Sequence, residues 1–469
     1  MTYNPENQFR CTIIRGKAKT DLDNLLPAYA KIVEEICPIG LEEFPGRFNA
    51  ELSKSIPEST KKTLDNHRTE IAGKLFGLYF TDKDGIVQCS ERTLAFLENN
   101  DQPFFFKDIC FKFQFPNGMD SINTIQEKLN NGVKIRQFSY LLQLMLLALS
   151  EGKALTKDEI GYYVLNSLDV LKGEATPAEV LERIFTDREK KIQNKVYYEG
   201  KASSYSMQHI NEQLNLMEVA NLVKIFSGSV ILNKMEMEAI QYIASYWDKP
   251  LGFDMYSYSL ESADERNRMY REWESYYSRV SEGALEKFIT RVEALGYEPE
   301  VGAGEEILER KMGLIELGDE GEIYVYNYEK ERVSQFDKRL VNKVKLFGKT
   351  KGLGYDIQTI VAEGENAEFV RYLEVKSTKR VTAPSLDENG WTETLNLTRN
   401  EWIAAQQHRQ AFFIYRVYFT GVGVIVYALM DPYGKNEDGK IRVTPVNYRL
   451  DFSSLSVDYK FQNDEKEKK

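Results

Sequence analysis

Three residues in the last third of the chain carry the side chains that phosphodiester cleavage needs. Asp356 follows a glycine and a tyrosine, and Glu374 and Lys376 stand two apart in the run Leu373-Glu374-Val375-Lys376. Carboxylates hold a hard divalent cation, and an ammonium group meets the charge of phosphate and of attacking water. On a strand, Glu374 and Lys376 would share one face while Leu373 and Val375 enter a core. The pattern predicts a metal and phosphate site, although such triplets also occur on solvated strand faces.

The elements that must position these residues follow one another in a definite order. A helix-like run opens at Gly318 and places Glu322 one turn inside it. Three of its side chains are available for burial: Ile323, Tyr326 and Tyr328. Apolar patterns then indicate strands over 355–361 and 369–376, a helix from Thr398, and strands over 412–419 and 422–429. The predicted order is helix, strands, helix, two strands.

This order and these residues resemble the PD-(D/E)xK nuclease superfamily, in the branch with G-Y-D-[IV], E-V-K-[ST]-T and L-[ST]-x-N-E-W motifs. The third motif reads Leu397-Thr398-Arg399-Asn400-Glu401-Trp402 here, whereas the proline of the superfamily's label is absent before Asp356. The resemblance implies that Asp356 and Glu374 bind Mg2+. It also implies that Lys376 positions or deprotonates water and stabilises the transition state, and that Glu322 supports a metal or the lysine.

Two nearby patterns have a structural interpretation. Thr398 and Glu401 have the spacing of a capping box, in which each side chain bonds to a backbone amide of the other residue. We favour that role for Glu401 over a direct catalytic one. Gly348-Lys349-Thr350 imitates the end of a phosphate-binding loop, but Lys343 stands where the first glycine belongs. No nucleotide cofactor is therefore predicted.

Charge distribution gives a second indication of nucleic acid. The 469 residues predict two to four compact units, and the formal net charge of -11 argues against indiscriminate coating of nucleic acid. A local basic groove is still allowed, because residues 338–352 include six basic side chains and no acidic one. Lys349 and Lys351 are its predicted DNA contacts, with a solvated basic loop as the equally weighted alternative.

Cysteine, histidine and apolar residues exclude several other classes of protein. The four cysteines form no C-x-x-C pair, and three scattered histidines are too few for an HNH nuclease or a histidine-built metal site. The polar N-terminus does not resemble a signal peptide, and the apolar run at 141–149 is too short to span a bilayer. We therefore expect a cytoplasmic protein with no membrane partner.

The N-terminal half contains a weak internal repeat, in which a helix precedes a β-hairpin. The first copy covers 60–87, with an Asp-Gly turn, and the second covers 206–232. Each resembles the end of a winged-helix domain, whose last helix before the wing commonly enters the major groove. Polar side chains in these helices are predicted to contact DNA: Lys61, Lys62, Asn66, His67 and Arg68 in one copy, and Gln208, His209 and Asn211 in the other.

The N-terminal arm is also basic. Residues 1–19 hold four basic side chains against one acid, Glu6, so contact with phosphate is predicted, and a frayed basic terminus explains the same charges equally well. The four predicted contacts are Arg10, Arg15, Lys17 and Lys19. Polar helix faces and basic arms are often simply solvated, and many winged helices bind proteins, so the structural alternative stays open for both.

Together these patterns predict a multidomain α+β protein with an N-terminal tandem winged-helix recognition region and a C-terminal α/β PD-(D/E)xK nuclease domain. The predicted winged-helix subdomains cover 1–132 and 133–250. A helical linker is predicted over 251–300, a nuclease and dimerisation domain over 301–455, and a charged tail over 456–469.

The front half resembles the BpuJI family of type IIS restriction endonucleases, through residues 8–19, 65–74 and 113–118. That resemblance implies recognition of a short asymmetric sequence in double-stranded DNA and Mg2+-dependent cutting outside it. A homodimer through the nuclease domain is implied as well, since one active site cuts one strand. A modification-dependent endonuclease, a nickase and a non-catalytic winged-helix regulator are the alternatives.

Overall fold

The computed structural model divides the chain into an N-terminal unit, residues 1–53 and 58–304, and a C-terminal unit, residues 54–57 and 305–469. The structure describes residues 8–14, 19–56, 59–99, 101–198, 201–202, 204–226, 228–281, 288, 317–347, 353–387, 391–444 and 449–463. Within these ranges, no helix is long and apolar enough to cross a membrane.

The first part of the N-terminal unit builds helices around a three-stranded antiparallel sheet of order β1-β3-β2. Its elements are α1 (Lys19–Ile36), β1 (Ile39–Gly40), α2 (Phe44–Ser55), α3 (Lys61–Asn66), a π-helical continuation (His67–Leu75), β2 (Tyr79–Thr81), β3 (Ile86–Cys89), α4 (Glu91–Asn99), α5 (Gln102–Lys112) and α6 (Ile122–Asn130). Thr60 starts α3 by accepting a hydrogen bond from the amide of Thr63. Gly85, with a φ of 76°, allows the turn between β2 and β3, so the predicted helix and hairpin are both present.

The second part repeats this plan with the sheet order β4-β8-β7. Its elements are α7 (Gln137–Ser150), β4 (Leu155–Thr156), α8 (Lys157–Glu159), a π-helix (Ile160–Leu165), α9 (Leu168–Leu171), α10 (Pro177–Glu189), β5 (Tyr197–Tyr198), β6 (Lys201–Ala202), α11 (Ser204–Val219), β7 (Val223–Phe226), β8 (Ser229–Leu232), a 3-10 helix (Lys234–Glu236), α12 (Met237–Ala244), a 3-10 helix (Met255–Ser257) and α13 (Ala263–Ser278). The helix α11 precedes the β7–β8 hairpin, as the sequence repeat predicts.

The C-terminal unit is built on a six-stranded mixed sheet of order β17-β14-β13-β11-β10-β9. Its elements are α14 (Leu317–Phe336), a 3-10 helix (Lys338–Lys343), β9 (Lys345–Leu346), β10 (Ile357–Ile360), a 3-10 helix (Gly364–Asn366), β11 (Val370–Lys379), β12 (Glu393–Asn396), α15 (Arg399–His408), a 3-10 helix (Arg409–Ala411), β13 (Phe412–Thr420), β14 (Gly423–Met430), α16 (Pro432–Glu437), β15 (Arg442–Thr444), β16 (Arg449–Phe452), a 3-10 helix (Ser454–Ser456) and β17 (Tyr459–Asn463). The strands β11 and β13 are parallel, and the other pairs in this sheet are antiparallel. A smaller antiparallel sheet has the order β12-β16-β15.

Opposite faces of β11 contact different helices. A Cβ added at Gly321 in α14 would overlap Ser377 and lie 3.5 Å from Val375, so this helix packs on the face that Val375 and Ser377 share. The core that contains Trp402 and Ala405 of α15 also packs against Tyr372, on the other face. Because side chains alternate along a strand, Glu374 and Lys376 project toward the α15 side.

The buried stripe of α14 differs from the predicted one. Val325, Glu329 and Val333 are buried at a spacing of four residues, whereas Ile323 is 43% exposed, so its predicted burial is wrong. Tyr326 and Tyr328 are half-buried. Hydrophobic periodicity did not predict this stripe, because one of its residues, Glu329, is charged. Glu329 is buried because it pairs with Arg332 at 2.6 Å and accepts a hydrogen bond from Thr359 Oγ1 at 2.8 Å.

Candidate functional site

Gly354 places the loop before β10 against the first turn of α15. Its φ is 76°, and an added Cβ would overlap the carbonyl oxygen of Asn400 and lie 2.9 Å from Ala404 Cβ. Only glycine combines this backbone conformation with so close an approach. The glycine of the Gly-Tyr-Asp motif therefore brings Asp356 to the N-terminus of α15.

The strand β11 brings two further charged groups to the same place. Lys376 Nζ lies 2.6 Å from Glu374 Oε1 and 3.1 Å from Glu401 Oε2. Asp356 Oδ2 accepts a hydrogen bond of 2.8 Å from the amide of Val375, the residue between Glu374 and Lys376. The three residues predicted from the sequence are thus neighbours, and Glu401 joins them.

Burial is the main cause of the raised pKa values of Asp356 and Glu374. Burial raises the pKa of Asp356 to about 6, against the opposing effect of the Val375 amide and of Lys376. Glu374 is buried, and burial together with the nearby charges of Asp356 and Glu401 raises its pKa well above the ordinary value. Burial therefore makes the ionised form of both carboxyl groups costly, and the neighbouring Lys376 partly offsets that cost.

Lys376 balances this negative charge. Burial disfavours its ammonium form, but the carboxylates of Glu374 and Glu401 outweigh that cost and raise the pKa of Lys376 above its ordinary value. The side chain is therefore a cation throughout the neutral range.

The chemistry of these donors fits Mg2+. Among the residues that the structure describes, no group of three or more His, Cys, Asp or Glu side chains is arranged to hold a metal ion. Mg2+ is commonly bound by one or two carboxylates and completes its shell with water and substrate phosphate. Asp356 and Glu374 supply two such carboxylates, and a dication would offset the cost of burying them, which is the main cause of their raised pKa values.

Glu401 has both the predicted structural role and an additional contact. The amide of Glu401 donates to Thr398 Oγ1 at 3.3 Å, and the amide of Thr398 donates to Glu401 Oε2 at 2.9 Å, which confirms the capping box. The same Oε2 contacts Lys376. Because a capping box fully accounts for the Thr-x-x-Glu spacing, the sequence did not predict the contact between Glu401 and Lys376.

Glu322 occupies a different position from the one that its predicted role suggests. It lies one residue after Gly321 in α14, the helix that covers the Val375 and Ser377 face of β11. Glu374 and Lys376 project from the other face. The side chain is half-buried, and its support of the metal or the lysine stays a prediction.

Most of the basic contacts predicted in the N-terminal arm and in the segment ahead of Asp356 lie outside the described residues. Lys349 and Lys351 fall there, as do Arg15 and Lys17, and only the backbone of Lys19 is described. Arg10 is half-buried. Within the basic segment ahead of Asp356, Arg339 pairs with Asp337 at 2.8 Å.

Several predicted contacts on the two recognition helices are accessible. Lys61, Lys62 and Asn66 are exposed on α3, and Gln208 is exposed on α11. Asn211 is half-buried and accepts a hydrogen bond from Lys157 Nζ at 3.3 Å.

The two histidines of the predicted DNA contacts, His67 and His209, are buried. His67 is hydrogen-bonded through Nδ1 to the hydroxyl of Tyr29, and His209 Nδ1 accepts from the amide of Ile13 at 3.2 Å. Their helices present them to the core, a placement that the polar character of histidine does not reveal.

Arg68 is buried for a related reason. Its guanidinium donates to Asp65 Oδ1 at 2.6 Å and to Asn49 Oδ1 at 2.8 Å. These bonds join α2 to the end of α3 and occupy groups that would otherwise recognise guanine. Arg68, His67 and His209 are thus all buried, and their contact with DNA stays a prediction.

Comparison with known proteins gives two matches along the sequence. The family profile "Restriction endonuclease BpuJI - N terminal" matches residues 3–274. The profile "Protein NO VEIN, C-terminal" matches residues 321–427. No curated protein sequence matches the chain.

One of the solved structures that are similar to this chain contains DNA. It is the crystal structure of the BpuJ1 endonuclease binding domain in complex with pyrene- and phenanthrene-modified DNA. The sequences are 54% identical, and the similarity covers 59% of this chain and 100% of that one, with a TM-score of 0.57.

Proposed function

The chain belongs to the family of the restriction endonuclease BpuJI N-terminal region, and we propose that it is a type IIS restriction endonuclease. Its N-terminal unit is a BpuJI-like DNA-binding region, and its C-terminal unit is a mixed-sheet domain. In this proposal the first unit binds a short asymmetric duplex sequence, and the second hydrolyses phosphodiester bonds outside it with Mg2+.

One observation carries the nuclease assignment. Asp356, Glu374 and Lys376 come from separate parts of the chain, yet a hydrogen bond to the Val375 amide and an ion pair of 2.6 Å join them in one cluster. Their raised pKa values are the kind of perturbation that functional sites display. A surface strand with solvated charges would give neither the burial nor the pairing.

The cluster suggests how the work would be divided. Asp356 and Glu374 would hold Mg2+, which when bound neutralises phosphate charge and makes coordinated water more acidic. The raised pKa of Lys376 favours its cationic form, which can stabilise phosphate charge and is not a base. We therefore favour charge stabilisation and water orientation over proton abstraction for this lysine.

Recognition would use the two helices that precede the hairpins. Each three-stranded sheet with its preceding helix has the arrangement that we interpret as a winged-helix unit. The exposed Lys61, Lys62, Asn66 and Gln208 are the base and phosphate contacts that we retain. Because one cluster cuts one strand, a homodimer through the C-terminal unit is proposed for double-strand cleavage.

A DNA-binding protein that does not cut is the second candidate. It is favoured by one observation, namely that the profile matching residues 321–427 carries no nuclease name. The alternatives of a nickase and of a modification-dependent endonuclease differ from the main proposal only in product and in substrate.

A cleavage assay separates these functions. The intact protein, Asp356→Ala and Lys376→Ala are incubated with Mg2+ and unmethylated or methylated phage DNA, with Lys460→Ala, at an exposed strand position, as the matched control. Discrete bands from the intact protein and the control alone would support the main proposal. Nicks only, or cutting of methylated DNA only, would favour the respective variant. Duplex binding without any cutting would favour the second candidate.

A further inference from the structure

A single carboxylate oxygen links the start of α15 to Lys376. Glu401 Oε2 accepts a hydrogen bond of 2.9 Å from the amide of Thr398 and lies 3.1 Å from Lys376 Nζ. The capping box fixes the rotamer of Glu401, because its side chain is held at the helix N-terminus on which it lies. The ammonium of Lys376 therefore has one partner that is rigidly placed by a helix.

The second partner of Lys376 is Glu374, which is also a proposed metal ligand. Glu374 Oε1 lies 2.6 Å from Lys376 Nζ. A carboxylate that coordinates a dication is a weaker partner for an ammonium, since the dication neutralises its charge and repels the lysine. Glu401 would then be the carboxylate that keeps Lys376 in place.

Gly354 ties this arrangement to the other carboxylate. The loop that carries Asp356 packs on the carbonyl oxygen of Asn400, the residue before Glu401. The positions of Asp356 and Glu401 are consequently fixed by the same turn of α15. The metal-binding carboxylate and the partner of the lysine share one rigid support.

We propose that Glu401 is a positioning residue of the nuclease site, which holds the Lys376 ammonium beside the scissile phosphate when Glu374 binds the divalent cation. This inference rests on the proposed function and adds to it. The rival interpretation is that Glu401 only caps α15. Under that interpretation its charge is irrelevant, and its contact with Lys376 has no effect on cleavage.

Two substitutions separate the charge of Glu401 from its capping role. Glutamine is also a capping-box residue at this position, so Glu401→Gln keeps the cap and removes the charge. Thr398→Ala does the opposite, because the side-chain cap is lost while the backbone amide that holds Glu401 Oε2 remains. Lys376→Arg keeps the positive charge but changes its position, so it shows how much cleavage slows when the cation is displaced.

Single-turnover cleavage, duplex affinity and melting temperature are measured for each full-length variant. We expect Glu401→Gln to slow cleavage by about 10- to 100-fold, the scale of a misplaced catalytic group, with duplex affinity and melting temperature unchanged. Thr398→Ala should lower the melting temperature and leave the rate close to that of the intact protein. Full cleavage by Glu401→Gln, or an equal loss in both variants, would overturn the inference.

A structural measurement keeps the inference independent of activity. Crystals of the intact chain are soaked in Ca2+, which binds carboxylates in the same class of oxygen site. Lys376 Nζ should leave Glu374 and stay within hydrogen-bond distance of Glu401. A lysine that stays on Glu374, or a Glu401 that coordinates Ca2+ directly, would overturn it. An intact protein that cuts no DNA would count against the proposed function, while the Ca2+ structure would still decide the role of Glu401.

Discussion

The amide of Val375 donates a hydrogen bond of 2.8 Å to Asp356 Oδ2. This bond joins the backbone of β11 to the carboxylate that precedes β10, so the strand that carries Glu374 and Lys376 also orients Asp356. A hydrogen bond to the carboxylate form opposes the rise in its pKa, and the pKa nevertheless reaches about 6 because burial dominates. The hydrogen bond from Val375 therefore offsets only part of the cost of burying the ionised Asp356.

Asp356→Asn should stabilise the metal-free protein at neutral pH while abolishing cleavage. A carboxyl with a folded-state pKa of about 6, above the ordinary 3.8, contributes stability that is complete below pH ~4 and is lost as the pH rises through 6. The gain in the free energy of unfolding should be at most about 3 kcal/mol at pH 7.5 and absent at pH 4. Thermal melts at both pH values measure it.

Asp337→Asn is the control for this experiment, because its effect on the free energy of unfolding should have the opposite sign. Hydrogen bonds from Arg339 lower the pKa of the half-buried Asp337. Its contribution to stability is therefore present above the ordinary pKa and lost as the pH falls. A destabilised Asp356→Asn at neutral pH would contradict the assigned burial of that carboxyl.

Lys376→Met should abolish cleavage and destabilise the metal-free protein. In the unsubstituted chain the ammonium lies 2.6 Å from Glu374 and 3.1 Å from Glu401, and the variant leaves both carboxylates without this shared cation. Loss of one partner from a buried ion pair costs about 3–5 kcal/mol. Differential scanning calorimetry at neutral pH should show a lower melting temperature, which acid or added Ca2+ restores. An unchanged melting temperature would mean that the lysine does not neutralise the cluster.

Gly354→Ala tests the contact between the Gly-Tyr-Asp loop and α15. The new Cβ would overlap Asn400, and the residue would keep a φ of 76°, so the variant should lose about 2–4 kcal/mol of stability and most of its activity. Gly364→Ala is a matched control, because its φ is 56° and nothing lies within 4 Å of its added Cβ. It should show only the backbone cost of about 1–2 kcal/mol and cut normally. Equal effects in both variants would deny the contact any role.

Substitutions in α3 and its π-helical continuation should distinguish residues that contact phosphate from residues that stabilise the core. Lys61→Ala and Lys62→Ala remove exposed charges, so each should weaken binding to every duplex and reduce the salt slope by about 1. His67→Ala breaks the buried bond to Tyr29 and should instead lower the melting temperature. Fluorescence anisotropy across a salt series measures the first effect. A change in sequence preference in a stably folded His67→Ala variant would support the predicted DNA contact of that histidine.

The sequence predicts parts of the site well because local patterns determine them. The alternation of Leu373, Glu374, Val375 and Lys376 is a property of any strand, and the structure has it. The spacing of Thr398 and Glu401 is likewise local, and the capping box is present. These predictions needed no knowledge of which elements pack together.

Other features depend on packing that no local pattern reveals. The burial of His67 is set by Tyr29 on α1, and the second contact of Glu401 is set by a strand that precedes it in the chain. The buried stripe of α14 includes the charged Glu329, which hydrophobic periodicity cannot count as apolar. Tertiary pairing decides each of these positions.

The most direct test of separate recognition and cutting is to sequence the ends that the intact protein produces from a random DNA library with Mg2+. We predict 5′-phosphate ends at a fixed distance on one side of a common asymmetric sequence. Asp356→Ala, still bound to the same sequence, should produce none. Ends without a common neighbouring sequence, or intact DNA despite sequence-specific binding, would contradict the account.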